Sequence, residues 1–381
     1  MKQGWEIKKL KEVCRFVGGY TPSPSLLCTE GCIPYFKVSD MNRDGNSREL
    51  YNTELYLKET KKTYPAGAIV FPKNGGAVLT NKKRILVTNS VVDLNTGVAI
   101  PNSVVNVDYL YFFFCGVDFC NFVKEGTLPV LKIKEIGELP IFLPPLAEQE
   151  RIVEVLNREF ESIDAMKANA VQNLQHAKDL FQAALRKELQ PKEGWGTSEL
   201  RGVCTFYNGK PHENNIDKEG KYILVNSKFI ASDMQTYKRT SAQLFPLYRN
   251  DIVMVMSDVP NGKALGKCQI ICEDGVYSLN QRICAFRNAK IDVKLLYYLI
   301  NRNPYLIAFD NGENQTNLRK NDIITMPIYY PTDPQEVAPL IERLDSLRES
   351  CTILEENYRK TIALCDDMKQ TLLRKAFNGE L

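Results

Sequence analysis

The chain repeats itself once, in order, over almost all of its 381 residues. The pair Gly4-Trp5 returns as Gly194-Trp195, and later matches keep the same order with small slips in spacing. These later matches are Leu10/Leu200, Val13/Val203, Ile69-Val70/Ile252-Val253, Pro140-Ile141/Pro327-Ile328 and Leu185-Arg186-Lys187/Leu373-Arg374-Lys375. A period of nearly half the chain is far longer than the roughly 20 to 50 residues of a solenoid unit. The sequence therefore predicts one large module that is present twice.

Each module begins with a region of short apolar runs that are broken by Gly, Pro, Asn and Asp, a pattern typical of strands and turns. The predicted strands are residues 33–38, 68–71 and 98–101, and in the second copy residues 222–225, 252–256 and 283–286. We expect one helix in each copy, capped by Asp108 or Asp292. The Tyr- and Phe-rich residues 109–114 and the apolar residues 293–300 that follow are interpreted as core rather than as platforms for stacking bases.

Each module ends in a long amphipathic helix. The first follows Pro144-Pro145, since proline is tolerated in an opening turn. In the second, Asp333 supplies a cap and Pro334 the first helical position. Apolar residues then recur at steps of three and four, which predicts a narrow packing seam. The predicted seam residues are Leu156, Phe160, Ile163, Leu174, Phe181, Leu344, Leu347, Leu354, Tyr358, Met368 and Leu372.

These helices are too long for their own domains to cover, because about 40 residues at about 1.5 Å each span roughly 60 Å. We therefore predict a mixed α/β fold, with two globular domains that have β-sheet cores and are each followed by a long helix. The helices are expected to pair as an antiparallel coiled coil with pseudo-twofold symmetry. The predicted boundaries are residues 1–145 and 191–331 for the domains, and residues 146–190 and 332–381 for the helices.

The charge alternates along the chain in the same four segments. The globular segments carry net charges of +4 each and the helical segments −2 and −3, which together give the overall +3. Mildly basic domains suit an anionic partner, and acidic helices suit protein partners. No apolar run approaches the roughly 18 residues that cross a bilayer, and the charged N-terminus is unlike a signal peptide. We expect a cytoplasmic protein without a membrane partner, whose 11 cysteines are reduced.

Motifs for catalysis or metal binding are absent from the sequence. There is no phosphate-binding P-loop, dinucleotide fingerprint, zinc-protease motif or nucleophile elbow. The pairs Cys28/Cys32 and Cys268/Cys272 lack a second ligand pair at usable spacing, and the two histidines are His176 and His212. His212 lies in a polar loop that would suit contact with a ligand or with solvent. The sequence favours a protein that is not an enzyme and holds no metal or cofactor of its own.

The chain resembles a specificity subunit of a type I restriction-modification system over essentially its whole length. The resemblance rests on Gly4-Trp5, on the loop at residues 18–23, on residues 67–70 and on the closing residues 372–381. Its most specific part is the helix start at residues 140–152, which reads PIFLPPLAEQERI. The second copy keeps Pro327-Ile328 and Pro331 but is looser after them.

The resemblance implies two target recognition domains, each of which reads one half of a split site in double-stranded DNA. It also implies that the helices recruit two methyltransferase subunits and that restriction subunits join the complex. S-adenosylmethionine, ATP and magnesium would then belong to those partner subunits. Since the two globular segments differ in sequence, the two half-sites are expected to differ.

Cationic and amide side chains cluster in corresponding loops of the two copies. Lysine and arginine bind phosphates, whereas forked and amide donors read base edges. The alternative is that such loops are merely solvated surface. The predicted DNA-binding residues are Tyr20, Thr21, Lys73, Asn74, Lys82, Lys83, Arg84 and Lys132 in the first copy, and Ser257, Asn261, Lys263, Lys267, Asn314, Gln315, Asn317 and Arg319 in the second.

Two other functions remain open on the sequence. The first is a DNA-binding module that recruits a methyltransferase or defence complex outside restriction. The second is a coiled-coil adaptor whose globular ends bind protein. The adaptor would bind its partner with a flat salt response, since phosphate contacts impose a steep one.

Overall fold

The computed structural model describes residues 4–60, 62–124, 126, 128–259, 262 and 264–381. It divides into two compact units, each of which combines a globular region with parts of both long helices. The first unit comprises Met1–Asn173 and Tyr358–Leu381, and the second comprises Leu174–Asn357.

The first unit is built mainly from short strands. Its strands are β1 (Glu6–Lys9), β2 (Cys14–Gly18), β3 (Leu27–Cys28), β4 (Ile33–Phe36), β5 (Glu49–Leu50), β6 (Tyr56–Leu57), β7 (Ile69–Pro72), β8 (Arg84–Leu86), β9 (Val91–Val92), β10 (Thr96–Pro101), β11 (Val123–Lys124), β12 (Val130–Leu131) and β13 (Pro140–Leu143). Its helices are α1 (Leu10–Val13), α2 (Val107–Gly116), α3 (Ile133–Gly137) and the start of α4 (Leu146–Glu188).

The strands of the first unit form two main sheets. One has the order β2-β10-β7-β8-β5 and the other the order β3-β6-β4-β9. Neighbouring strands are antiparallel except in the pairs β5/β8 and β4/β9. Strand β1 pairs with β13 directly before the long helix begins. Strands β2 and β7 both run antiparallel to β10, so they end at the same edge of their sheet. Strand β12 lies beside the end of β7, because Leu131 N–H donates to Lys73 O.

Helix α2 supplies the aromatic core of the first unit. All six residues from Tyr109 to Phe114 are buried, which confirms their interpretation as core. The rings of Phe71 and Phe114 meet edge to face at a centroid distance of 6.3 Å. The predicted cap was wrong by two residues, because the side chain of Asn106, not Asp108, accepts the first backbone N–H groups of the helix. Asp108 instead accepts a hydrogen bond from Arg48.

The second unit repeats this plan. Its strands are β14 (Trp195–Glu199), β15 (Thr205–Asn208), β16 (Tyr222–Val225), β17 (Lys238–Thr240), β18 (Ile252–Val255), β19 (Ser257–Asp258), β20 (Cys268–Ile270), β21 (Tyr277–Leu279), β22 (Ile283–Arg287), β23 (Thr316–Asn317) and β24 (Pro327–Pro331). Its helices are α5 (Leu200–Val203), α6 (Ser227–Ala231), α7 (Val293–Ile300), α8 (Pro304–Ile307), α9 (Lys320–Ile324) and the first part of α10 (Pro334–Phe377).

The sheets of the second unit follow the order of their counterparts, but within the described residues each has one strand fewer. Strands β15-β22-β18-β20 form one sheet, strands β17-β16-β21 form another, and β14 pairs with β24. Asp292 caps α7 through the N–H groups of Lys294 and Leu295, as predicted. Asp333 likewise accepts the N–H of Gln335 at 2.9 Å, with Pro334 as the first residue of α10.

The two long helices run antiparallel within each unit. In the first, Lys167 Nζ lies 2.6 Å from Asp366 Oδ1. In the second, Arg343 Nη2 lies 3.4 Å from Glu188 Oε2, and the Arg348 guanidinium lies 5.0 Å from the centroid of the Phe181 ring. In each unit, residues that are later in α4 contact residues that are earlier in α10. The predicted α/β fold with paired antiparallel helices is confirmed.

The seam between the helices follows a seven-residue repeat. Buried side chains recur at Leu156, Ile163, Ala170 and Ala177 on α4, and at Leu344, Cys351 and Cys365 on α10. Phe181 is buried as well, whereas Phe160, Leu174, Leu347, Tyr358 and Leu372 are half-buried. An alternation of four- and three-residue steps of this kind is the geometry of coiled-coil packing.

Two predicted seam residues were wrong. Leu354 and Met368 are 39% and 45% exposed. The next seam position after Cys351 or Cys365 is four residues further on, where Glu355 and Lys369 stand. Lysine can cover apolar surface with its stem while its ammonium group stays paired. Lys369 Nζ lies 2.5 Å from Asp164 Oδ1 and 4.8 Å from the centroid of the Phe160 ring.

Within the described residues, none of the helices combines the length and apolar character that crossing a membrane requires.

Candidate nucleic-acid interface

Four backbone segments meet at one edge of the first unit. We call them the first edge, which comprises residues 18–21, 73–75, 93–95 and 129–132. Gly19 N–H donates to Thr96 O at 2.9 Å, and Lys73 N–H donates to Asn95 O at 2.8 Å. Lys73 O in turn accepts the N–H of Leu131 at 2.9 Å. The end of β7 thus lies between the turn before β10 and strand β12.

The second unit has the same arrangement, here called the second edge, which comprises residues 208–211, 256–258, 280–282 and 316–319. Gly209 N–H donates to Ile283 O at 3.0 Å, and Met256 N–H donates to Arg282 O at 3.0 Å. Ser257 is paired with Asn317 across the β19–β23 ladder. The sequence singles out two polar regions in this copy, one after strand β18 and one around residue 317. These two regions are therefore neighbours in space.

A glycine is required at the same place in both edges. A Cβ atom added at Gly19 would collide with the backbone oxygen of Asp93, and one added at Gly209 would collide with the backbone oxygen of Asn280. Because glycine has no side chain, the strand can pass directly against the neighbouring turn. The residues that follow these glycines, Tyr20 and Lys210, are therefore equivalent.

Several predicted residues of the first copy lie on the first edge. Lys73 and Asn74 are half-buried, and Thr21 and Lys132 are exposed. The ammonium group of Lys73 lies beside Gly18, at 2.8 Å from where a Cβ atom would be. Lys132 Nζ lies 3.2 Å from Glu135 Oε1 in an exposed ion pair, an interaction weak enough for a phosphate to replace.

Tyr20 is also on the first edge, but its hydroxyl group is engaged inside the unit. It lies 2.6 Å from Thr60 Oγ1 and donates to the carbonyl oxygen of Lys62 at 2.9 Å. The Lys62 ammonium lies 5.4 Å from the centroid of the Tyr20 ring. Tyr20 therefore supports the edge rather than offering a free phenol to DNA.

In the second copy, the exposed predicted residues lie on or next to the second edge. Asn314, Gln315, Asn317 and Arg319 are all exposed. Gln315 Nε2 donates to Ser257 Oγ at 2.7 Å, which fastens this strip to β19. Ser257 is only 7% exposed, so its prediction as a DNA contact is corrected to a supporting role.

The structure contradicts the prediction that Lys83 contacts DNA, because Lys83 is only 3% exposed. Its ammonium group donates to Val117 O at 2.8 Å and to Asn81 Oδ1 at 2.5 Å, and it lies 4.3 Å from the centroid of the Phe119 ring. Burial lowers the pKa of Lys83 to about 8. This lysine holds the loop after residue 80 against the aromatic core.

Arg84 is corrected for a similar reason. Its guanidinium group donates to the backbone oxygens of Lys83 at 2.7 Å and Met41 at 2.9 Å, and also to that of Asn46. Burial lowers the pKa of the Arg84 guanidinium. A guanidinium group that binds three backbone carbonyls has a structural role in joining neighbouring loops.

Two further lysines are tied to their own unit. The ammonium group of Lys82 donates to Asn42 Oδ1. Lys267 donates to Ala231 O at 2.9 Å and lies 2.9 Å from Asp233 Oδ1, so its prediction as a contact is corrected as well. Asn261 and Lys263 lie outside the described residues. Nearby, the Asp258 carboxylate accepts the N–H groups of Val259 and Ala264 at 2.9 and 2.7 Å.

The sequence analysis missed residues on the turns between strands. Lys210, Gln281 and Arg282 are exposed on the second edge, and Asn95 is on the first. A signal was available, since Lys210 follows Gly209 just as Tyr20 follows Gly19. His212 is not a surface ligand, because it is 1% exposed and its Nε2 lies 2.8 Å from Ser278 Oγ.

Each edge thus combines cations with amide side chains on a rigid strip of strand ends. Cations can neutralise phosphates, and forked or amide groups can pair with base edges. Among the described residues, no cluster of three or more His, Cys, Asp or Glu side chains is arranged to hold a metal ion.

The chain is similar to a known family and to several known proteins. The model of the type I restriction modification DNA specificity domain matches it twice, at residues 2–174 and 192–364. The specificity subunit of the type I restriction enzyme EcoDI from Escherichia coli is 25% identical over 320 residues, which is 73% of this chain and 70% of that protein. The MjaIX specificity subunit from Methanocaldococcus jannaschii is 22% identical over 420 residues, which is 99% of this chain and 93% of that protein.

Solved structures share the fold. One chain, from work on complex assembly and conformational transition of the type I R-M system, has a TM-score of 0.78 and 19% identity, and the match covers 100% of this chain and 99% of that one. The HsdS subunit from Thermoanaerobacter tengcongensis has a TM-score of 0.56 and 20% identity, with coverage of 100% and 98%. The two family matches coincide with the internal repeat found in the sequence. The chain therefore belongs to the type I restriction-modification DNA specificity family, as a specificity subunit that carries the family's domain twice.

Proposed function

We propose that this chain reads a split, asymmetric sequence in double-stranded DNA, with each unit recognising one of the two blocks. The observation that carries the proposal is that both edges have the same four-segment backbone but different side chains. Tyr20, Lys73, Asn95 and Lys132 of the first edge correspond to Lys210, Met256, Arg282 and Arg319 of the second. A shared frame positions the DNA in the same manner, and different side chains select different bases.

The working set of contact residues comprises side chains on or next to the edges that are exposed or half-buried, including Gln315 and Gln281, whose amide groups pair with Ser257 and Glu213 in the free unit. In the first unit it comprises Thr21, Lys73, Asn74 and Lys132. In the second it comprises Asn314, Gln315, Asn317 and Arg319, together with Lys210 and Gln281. Asn261 and Lys263 stay predictions from the sequence. Phosphate contacts by the lysines would supply affinity, and the amides and arginines would supply sequence preference.

We further propose that the helices α4 and α10 bind methyltransferase subunits, one at each unit. Both units expose apolar side chains on these helices, namely Met166, Val171 and Leu364 in the first and Leu180 and Ile353 in the second. Exposed apolar side chains on an already paired helix suit burial by a further subunit. S-adenosylmethionine would then act in the methyltransferase subunits, and ATP with magnesium in restriction subunits, all in the cytoplasm.

The proposal is tested by measuring the DNA affinity of the complex assembled with its methyltransferase subunits. Fluorescence anisotropy with a labelled duplex would be recorded over a range of salt concentrations. We expect the logarithm of the association constant to fall linearly and steeply with the logarithm of the salt concentration, because phosphate contacts release counterions. A complex that assembles but binds DNA weakly, with no salt slope, would favour the protein adaptor instead.

A further inference from the structure

The centre of each edge is one backbone hydrogen bond between two neighbouring segments. In the first unit Lys73 N–H donates to Asn95 O, and in the second Met256 N–H donates to Arg282 O. Each pair contains one cationic residue, but the cation is on opposite segments in the two units. In the first unit the cationic residue, Lys73, directly follows strand β7. In the second unit the cationic residue, Arg282, is on the turn that faces the end of strand β18.

Arg282 has an unusual backbone for an arginine. Its φ angle is +66°, in the left-handed region that residues other than glycine, asparagine and aspartate rarely adopt. Strained positions of this kind are often found at binding sites, where the surrounding structure holds them in place. The side chain is exposed, and within the described part of the chain its guanidinium group makes no hydrogen bond or ion pair.

The turn that carries Arg282 is held on three sides. Asn280 N–H donates to Val225 O at 3.0 Å, Gln281 N–H donates to Lys210 O at 2.9 Å, and Arg282 O accepts the N–H of Met256. The backbone below the guanidinium group is therefore fixed before any ligand arrives. A planar guanidinium group whose backbone is already fixed loses little conformational entropy when it binds, which favours selective recognition.

The same turn contains an acceptor without a partner. Asn280 Oδ1 is buried and receives no hydrogen bond within the described residues. Its equivalent in the first unit, Asp93, accepts a hydrogen bond from Thr96 Oγ1 at 2.5 Å. Ile283 takes the place of that threonine in the second unit, so no hydroxyl is available. Buried polar groups are nearly always hydrogen-bonded, so the unpaired Asn280 Oδ1 sets this turn apart from its counterpart in the first unit.

We propose that Arg282 is a specificity-determining residue that reads a guanine in the DNA block recognised by the second unit. The inference rests on the proposed function and deepens it for this one position. Arginine can donate two parallel hydrogen bonds to O6 and N7 of guanine, the commonest specific contact in the major groove. In the first unit the cation of the corresponding backbone pair is Lys73, which lies on the opposite segment, so its removal leaves the recognition of this guanine unchanged.

The test uses the full chain assembled with its methyltransferase subunits. Three variants are compared with the wild type. Arg282→Gly removes the side chain and suits the positive φ angle, and Arg282→Lys keeps the charge but not the fork. Arg201→Ala is the matched control, because Arg201 is an exposed arginine of the same unit on α5, at the opposite end of β15 from the second edge.

Affinity is measured for the wild-type motif and for duplexes with each specified base pair replaced in turn. For Arg282→Gly we expect roughly a 10- to 100-fold loss on the wild-type motif and no remaining discrimination at one G·C pair. For Arg282→Lys we expect the same loss of discrimination with an unchanged salt slope, and for Arg201→Ala no change. Lys73→Ala should weaken binding through the loss of one phosphate contact and leave discrimination in the second unit's block unchanged. Thermal unfolding of each variant shows that the unit remains folded.

Three results would overturn the inference. The first is that Arg282→Gly weakens binding to all sequences equally, which indicates a phosphate contact only. The second is that Arg282→Gly alters discrimination in both blocks. The third is that Arg282→Gly leaves discrimination unchanged. The proposed function is judged separately, on whether the wild-type complex recognises a split motif at all.

Discussion

Leu318 donates its backbone N–H to the carbonyl oxygen of Met256 at 2.8 Å. The equivalent bond in the first unit joins Leu131 to Lys73 at 2.9 Å. These bonds connect two regions that are about 60 residues apart in sequence, and they do so twice. They join two separate clusters of polar residues into one continuous strip in each unit, and this strip is the surface that we propose contacts DNA.

Lys73→Ala should lower the DNA affinity of the assembled complex several-fold. If Lys73 neutralises one phosphate, the slope of the logarithm of affinity against the logarithm of salt should become about 0.9 smaller. Lys11→Ala is the matched control, since Lys11 is an exposed lysine that pairs with Glu138 and lies on α1, which precedes β2 on the side away from the first edge. Equal slopes for Lys73→Ala and the wild type would remove Lys73 from the interface.

Lys83→Met should change the pH dependence of stability but not DNA binding. The pKa of Lys83 is lowered from 10.5 to about 8 by burial. The free-energy cost of burying its charge is fully present below pH 8. This cost is gone above pH 10.5, the pKa of the lysine in the unfolded chain. In this window the unfolded chain binds more protons, so the wild type gains stability as the pH rises.

The gain is up to about 3 kcal/mol relative to Lys83→Met, because each pKa unit corresponds to about 1.4 kcal/mol. Chemical denaturation of both proteins at pH 7 and pH 10 measures it. Parallel stability profiles would contradict the burial of a charged ammonium group. Weaker DNA binding by a folded Lys83→Met variant would return Lys83 to the interface.

Leu156→Ala should destabilise the first unit by about 2 to 5 kcal/mol, because Leu156 is fully buried where α4 meets the core. Met368→Ala, on the exposed side of α10, should cost less than about 1 kcal/mol. Denaturation curves give both values. We also expect Leu156→Ala to impair co-purification with the methyltransferase before it alters the DNA motif. A changed motif in a fully assembled complex would be inconsistent with this order.

The sequence predicts most of the fold because its signals are local or repeated. Strand β16, helix α7 and the cap at Asp333 have the predicted positions, since alternation, helical periodicity and capping act within a few residues. The seam was misassigned at Leu354 and Met368 because only apolar residues were considered. Charged residues stand at the seam positions 355 and 369 instead, and Lys369 holds its position through its long aliphatic stem and its ion pair with Asp164, which a hydrophobic pattern does not reveal.

The site was less predictable because it depends on where side chains point. Lys83 and Arg84 have the sequence context of a DNA-binding loop, yet both face inward to carbonyl oxygens. Arg282, by contrast, follows no basic cluster and becomes a candidate only through its backbone bond to Met256. Composition can locate a loop, but the strand register determines which of its residues reach the edge.

The paired helices are expected to set the unread gap between the two DNA blocks. Inserting seven residues into each of α4 and α10 keeps the seven-residue repeat and lengthens the pair by about 10 Å. At about 3.4 Å per base pair, the gap should grow by about three base pairs. Methylation mapping of the variant would show this with both blocks unchanged. If the gap keeps its original length, the helices do not set the distance between the two DNA blocks.

The central claim is that one chain reads two different DNA blocks, and sequencing of modified bases tests it most directly. The chain would be expressed with its methyltransferase in a host that lacks DNA methylation, and the host DNA would be sequenced for modified bases. We predict a split motif with two short, different blocks on either side of an unread gap. A continuous motif, a symmetric motif or unmodified DNA from cells that contain the assembled complex would contradict the claim.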